Sequence, residues 1–182
     1  MAALTALAAF LRGVERRGAV LAELQAGDSR TGDAALGAAM RGFIHEARDL
    51  PMADWPVRFW IRLLAEPGLA RRTPVAIELD AADALAGLGG GPRAALLLRL
   101  AAGLSEPDAA RVLGVALPSY RLALQRALPR HGDGRADPQA WARVREAVHR
   151  RIKTLEPDRL VRLTRLREAA LAGGPAPLPR AV

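Results

Sequence analysis

The sequence contains no cysteine, and only 4% of its residues are aromatic. Without cysteine, disulfide bonds and thiolate metal sites are excluded. The three histidines, His45, His131 and His149, lack the spacing of metal ligands, so we expect neither a metal nor a cofactor. Runs of β-branched residues are also missing, whereas alanine and leucine dominate. This composition predicts an all-α fold.

Long apolar runs are absent as well. No stretch reaches the roughly 18–20 apolar residues of a membrane span. The first residues, MAALTALAAFLRG, lack an early basic segment and a polar cleavage region, and Arg12 interrupts them. We therefore expect an amphipathic first helix, no membrane span and a cytoplasmic protein.

The residue patterns of common enzyme sites are missing too. We find no Ser/His/Asp set and no paired carboxylates in a plausible pocket. The glycine triplet at residues 89–91 precedes Pro92, and the Lys-Ser or Lys-Thr of a phosphate-binding loop does not follow. We interpret the triplet as a turn between helices and expect no enzymatic activity.

The charge that is present is mainly positive. Lysine and arginine together number 27 against 19 acidic residues, and Lys153 is the only lysine. A net charge of +8 favours polyanionic partners, because each neutralised phosphate releases condensed counterions.

Apolar residues at spacings of three and four predict three helices in the N-terminal part, over residues 3–25, 33–48 and from Trp55 to a break at Pro67. Residues 27–32 and 50–54 are predicted to be turns or loops. We assign residues 1–66 to a helical domain and residues 67–79, which contain Pro67, Gly68 and Pro74, to a linker. A further helix is expected over residues 77–88.

Residues 103–129, GLSEPDAARVLGVALPSYRLALQRALP, have the pattern of two helices joined by a short turn. Ser105 is a predicted N-cap, and Gly114 supplies the left-handed conformation that ends the first helix. Val115 is expected to pack between the helices, and the second helix begins near Pro118. The pattern indicates a helix-turn-helix within a domain of residues 80–131, whose second helix commonly lies in a DNA major groove. An ordinary helical hairpin is the alternative.

The C-terminal part is predicted to add a helical pair over residues 138–172 and a flexible tail over residues 173–182. Arginines are frequent in this pair. They either extend a DNA-binding surface or form a solvated helix face, and we favour the solvated face. The arginines concerned are Arg150, Arg151, Arg159, Arg162 and Arg165, and Arg167 also lies on the polar face of the last helix.

Two blocks of the sequence resemble RNA polymerase sigma factors of the extracytoplasmic-function type. Residues 8–66 resemble region two, notably Asp33-Ala34-Ala35-Leu36 and the segment PVRFWIRL at residues 56–63. Residues 80–130 resemble region four, through Gly103-Leu104-Ser105, Asp108-Ala109-Ala110, Leu113-Gly114-Val115 and Tyr120-Arg121. The order and separation of the blocks also agree.

The resemblance implies that region two binds core RNA polymerase and reads an unpaired minus-ten base, while region four binds the minus-thirty-five element. The polymerase-contact candidates are Asp33, Leu36, Met40 and Arg41; the promoter-loop candidates are Leu50, Met52, Asp54 and Trp55; the DNA-binding candidates are Ser119, Tyr120, Arg121, Gln125 and Arg126. Trp55 is the candidate for base stacking, whereas Phe59 and Trp60 are expected in the core. Tyr120 either packs or contacts DNA.

The sequence departs from the family at two surfaces. The second helix carries Gly37, Ala38 and Arg41 where the family usually has acidic residues and a glutamine, and the recognition helix has Leu122 and Ala123 in place of polar residues. The primary hypothesis is a sigma-like initiation factor that binds promoter DNA and core RNA polymerase. A helix-turn-helix regulator without polymerase binding, or a protein-interaction adaptor, for example for an anti-sigma protein, is the alternative.

Overall fold

The computed structural model describes residues 2–70 and 90–173 of the chain. Within these ranges the structure is helical, with a short 3-10 helix at Met52–Asp54 and one isolated β-bridge between Arg130 and Ala136. The all-α prediction is confirmed. The α-helices are α1 (Ala2–Ala26), α2 (Ser29–Ala47), α3 (Trp55–Ala65), α4 (Gly90–Leu100), α5 (Glu106–Leu113), α6 (Leu117–Ala127), α7 (Pro138–Lys153) and α8 (Pro157–Leu171). No helix in the described ranges is both long and apolar enough to cross a bilayer.

Helices α1, α2 and α3 pack around an aromatic centre. Phe10, Phe43 and Phe59 lie with ring centroids 5.1–5.9 Å apart, and most of these contacts are edge-to-face, the arrangement that aromatic quadrupoles favour. Phe59 and Trp60 are buried, as expected. The turn before α2 is shorter than predicted, because the Asp28 carboxylate accepts a hydrogen bond from the Thr31 N–H (2.7 Å) and starts the helix at Ser29.

The N-terminal bundle and the helix-turn-helix helices are in contact. Helix α1 packs against α4, and α3 packs against α5. Their buried side chains belong to one continuous cluster. The predicted linker falls only partly within the described residues: residues 71–79 and the expected helix at 77–88 lie outside them.

The predicted turn before α4 is wrong where it is described, because Gly90, Gly91 and Pro92 form the first turn of the helix. Proline tolerates this place because the first backbone N–H groups of a helix have no intrahelical acceptor.

Helices α7 and α8 form the predicted C-terminal pair. Helix α8 packs against both α1 and α2, and α7 packs against α1 and α4. The pair therefore covers a side of the N-terminal bundle. Residues 174–182, most of the predicted tail, lie outside the described residues.

Candidate nucleic-acid interface

Helices α5 and α6 are joined by a tight turn with the expected caps. The Ser105 Oγ accepts a hydrogen bond from the Asp108 N–H (3.3 Å) at the start of α5. Gly114 has φ of 66°, and the N–H groups of Gly114 and Val115 donate to the carbonyls of Arg111 and Ala110 (both 3.1 Å). This pattern closes the helix end as a Schellman motif. Val115 itself is exposed, so its predicted packing between the helices is wrong.

Tyr120 anchors α6 to α4. Its side chain is fully buried, and its hydroxyl donates a hydrogen bond to the Ala95 carbonyl (2.7 Å). Burial raises the pKa of the phenol, so the hydroxyl remains a donor. Tyr120 is therefore a packing residue, and its place among the DNA-contact candidates is corrected.

The other four DNA-binding candidates lie on the exposed side of α6. Ser119, Arg121, Gln125 and Arg126 are exposed and fall within two helical turns. Leu122 lies among them with 49% of its surface accessible. An exposed leucine can contact a thymine methyl group, whereas the sequence interpretation counted Leu122 only as a lost polar contact.

The two arginines of this side differ in their partners. The Arg121 Nε donates to a Glu106 carboxylate oxygen on α5 (2.9 Å), forming an ion pair near the surface. Arg126 has no ion pair or side-chain hydrogen bond with any residue in the described ranges. Arg126 is thus ready to contact a base or phosphate, whereas Arg121 has to leave Glu106 first.

The segment of residues 50–54 borders a groove next to the helix-turn-helix. Leu50 and Asp54 line this cavity of about 380 Å³ together with Arg58 of α3 and Arg111 of α5. Met52 is not among the lining residues and is 63% exposed. The loop candidates and the first helix of the helix-turn-helix therefore lie side by side.

Trp55 does not have the position expected of a stacking residue. Only 5% of its surface is accessible, and its ring lies edge-on to Phe10 and Phe43. Trp55 is the first residue of α3 and faces the bundle, where packing against α1 and α2 buries its side chain. The stacking assignment for Trp55 is therefore corrected.

The polymerase-contact candidates are mostly inaccessible. Leu36 and Met40 are fully buried, and Asp33 is 4% exposed. Arg41 is partly buried. Helix α8 covers this side of α2: the Leu166 side chain lies 3.0 Å from the point where a Cβ at Gly37 would be. The expectation that Asp33, Leu36 and Met40 form an accessible surface is corrected for this arrangement.

Arginines of α7 and α8 pair with acidic residues of α1 and α2. Arg159 contacts both Glu23 (2.5 Å) and Asp33 (3.0 Å). Arg151 also pairs with Glu23, Arg162 with Asp33, and Arg167 with Glu15. The preferred prediction of a solvated arginine face is wrong for Arg151 and Arg159, while Arg150, Arg162 and Arg165 are exposed as expected. Arg167, on the polar face of the last helix, is buried.

The pairing of Glu23 with Arg159 shifts the pKa of both groups. Burial alone would raise the pKa of Glu23, but hydrogen bonds from Arg151 and Arg159 outweigh it and lower that pKa. Burial acts to lower the pKa of Arg159, yet its bonds to Glu23 and Asp33 raise it overall. Both groups are held in their charged forms.

The described part of α6 offers an exposed polar and cationic surface. Within residues 2–70 and 90–173, no three histidine, aspartate or glutamate side chains lie together as metal ligands. Exposed polar and cationic side chains on a second helix can donate to phosphates and base edges. Comparison of the chain with protein-family models, curated proteins and solved structures finds no match.

Proposed function

We propose that the protein is a sigma-factor-like transcription initiation protein that binds promoter DNA and connects it to core RNA polymerase. The observation that carries this proposal is the exposed side of α6, where Ser119, Gln125 and Arg126 accompany Leu122 on a helix held by Tyr120. Arginine and glutamine can make bidentate contacts with guanine and adenine, each worth about 1–3 kcal/mol of discrimination.

The proposed function requires the N-terminal helices and the helix-turn-helix to move apart. The minus-ten and minus-thirty-five elements are roughly 25 base pairs apart, or about 85 Å of B-form DNA at 3.4 Å per pair. Contact between α3 and α5 places the loop of residues 50–54 beside the helix-turn-helix. Binding both elements at once therefore means that the two parts separate, and access to α2 means that α8 moves.

The test combines polymerase binding with transcription. We expect the full chain to be retained by core polymerase and to support run-off transcription from a subset of genomic promoter fragments. Substitution Arg126→Ala should weaken specific promoter binding by roughly tenfold, the equivalent of one lost base or phosphate contact. Arg12→Ala, at an exposed position of α1, is the matched loss of charge and should leave specific binding unchanged.

The second candidate is a helix-turn-helix regulator that does not bind polymerase. The burial of Asp33 and the cover of α2 by α8 favour this candidate. Its result in the same test would be salt-sensitive DNA binding that depends on Arg126, with no retention by core polymerase. That outcome would reject the sigma-like function and keep the DNA-binding helix.

A further inference from the structure

A basic cavity of about 360 Å³ lies where α1, α4 and α7 meet. Its cationic lining comes from all three helices, with Arg17 of α1, Arg99 of α4 and Lys153 of α7, and His149 of α7 lies beside them. None of the described residues that line it is acidic. The cavity is therefore a separate feature from the exposed side of α6.

The basic side chains of this cavity have no acidic partners among the described residues. Arg17, His149 and Lys153 make no ion pair or side-chain hydrogen bond with any residue that the structure describes. Arg99 donates one hydrogen bond to the Leu104 carbonyl and keeps its other donors. The neighbouring Arg151 shows the contrast, because it is paired with Glu23. Unpaired cations that converge repel one another, and a bound anion removes this repulsion.

Helix ends explain only part of this cluster. Arg99 and Lys153 lie in the last turns of α4 and α7, where the helix dipole favours positive charge. Arg17 lies in the interior of α1, and no helix end of α1 accounts for it. Gly103, with φ of 70°, leaves room for Arg17: a Cβ there would lie 3.2 Å from its Nη1 atom. The loop after α4 thus allows the Arg17 guanidinium to lie against the cavity.

We propose that this cavity binds a small anion with two or more linked phosphates, such as pyrophosphate or the polyphosphate group of a nucleotide. Arginine matches phosphate with a planar pair of donors, lysine adds a compact charge, and the histidine ring adds an N–H donor. Leu100 and Ile152 supply an apolar border for the remainder of a ligand. The volume lies at the lower end of small-ligand cavities.

A cavity of this size, bordered by side chains of three helices, suits a small ligand. Leu100 and Ala101 form a buried apolar floor, and the exposed basic side chains surround it, so a small anion can contact several of them at once. The proposal is independent of the proposed function, because it uses none of the residues assigned to promoter or polymerase binding.

The experiment measures pyrophosphate binding to the full chain by calorimetry, with thermal unfolding as a second readout. Sodium sulfate at equal ionic strength separates specific binding from screening. The test variant is R17Q/K153Q, and the matched control is R12Q/R165Q, which removes two exposed arginines outside the cavity. We expect the test variant to lose roughly tenfold or more in pyrophosphate affinity, since two charged contacts disappear, and the control to keep it.

Two results would overturn the proposal. One is pyrophosphate binding that is absent in the wild type or is equally strong in both double variants. The other is that the protein binds a short DNA duplex through Arg17 and Lys153 but does not bind pyrophosphate. That result would assign the cavity to the DNA backbone. Circular dichroism verifies folding, and the single variant K153Q, at an exposed helix end, replaces R17Q/K153Q if the latter does not fold.

Discussion

At the residue scale, Tyr120 shows how a candidate contact can belong to the scaffold. Its buried hydroxyl donates to the Ala95 carbonyl and so has a partner inside the protein, where water does not reach it. Sequence reasoning left Tyr120 open between packing and DNA contact, because a tyrosine has an apolar body and a polar end in either case. Only the position of α4 beneath α6 decides between them.

Replacing Tyr120 with phenylalanine should lower stability and leave the proposed DNA-binding side of α6 intact. The variant removes one buried hydrogen bond, which should cost about 0.5–1.5 kcal/mol in the free energy of unfolding. Urea unfolding measures this loss, and gel-shift titration at a temperature where both proteins are folded should give equal DNA affinities. Weaker DNA binding with unchanged stability would contradict the packing role.

Glu106 is expected to restrain Arg121, so Glu106→Gln should strengthen DNA binding. The substitution frees the guanidinium and removes a negative charge beside the proposed phosphate path. We expect a steeper dependence of affinity on salt, by about one unit in the logarithmic slope. Fluorescence anisotropy with a labelled duplex over a salt series measures the slope.

Asp108→Asn is the matched control for this prediction. Asp108 also lies in the first turn of α5 but pairs with Arg111 (3.4 Å) instead of Arg121. An equal change of the slope in both variants would show a general charge effect rather than release of Arg121.

At the scale of elements, hydrophobic spacing predicted most helices and missed how α8 packs. The apolar positions of α8 identify it as a helix, but its arginines have the same pattern whether they face solvent or carboxylates. One signal was available: Glu15 and Glu23 are eight residues apart on α1, as are Arg159 and Arg167 on α8. Equal spacing of opposite charges fits two antiparallel helices, although it does not identify the partner helix by itself.

Protonation of Glu23 should loosen the contact of α8 with α1. The pKa of Glu23 is lowered from its ordinary value of 4.5, so its contribution to stability is present above that value and disappears as the pH falls below it. Glu23→Gln should therefore be less stable than the wild type at neutral pH. The difference in unfolding free energy should shrink between about pH 5 and pH 3.

Urea unfolding of both proteins across this pH range measures the effect. Glu168→Gln is the control, since Glu168 is exposed on α8 and has no ion pair with a described residue. A difference between the wild type and Glu23→Gln that stays constant with pH would show that Glu23 acts through packing alone.

At the scale of the molecule, the sequence predicted two parts. It did not predict the contacts between helices of these parts, because no local residue pattern encodes them. Helical spacing and turn residues specify elements, whereas the contacts of α3 with α5 and of α8 with α2 depend on surfaces far apart in sequence. For the same reason the sequence placed Asp33 and Trp55 at accessible sites that the assembled helices bury. By contrast, the exposure of Ser119, Gln125 and Arg126 depends only on the periodicity of α6, and it agrees with the sequence prediction.

The last prediction concerns the contact between the two parts. Because the chain has no cysteine, the pair Arg58→Cys and Arg111→Cys introduces thiols only at the groove between α3 and α5. A short bis-maleimide should lock these helices together. If promoter recognition needs the parts to separate over about 85 Å of DNA, the locked protein should lose run-off transcription. It should still bind an isolated minus-thirty-five duplex, since α6 remains exposed.

The same variant treated with a monofunctional maleimide carries similar adducts without the bridge and should keep activity. Full transcription by the locked protein would show that initiation does not require the two parts to separate.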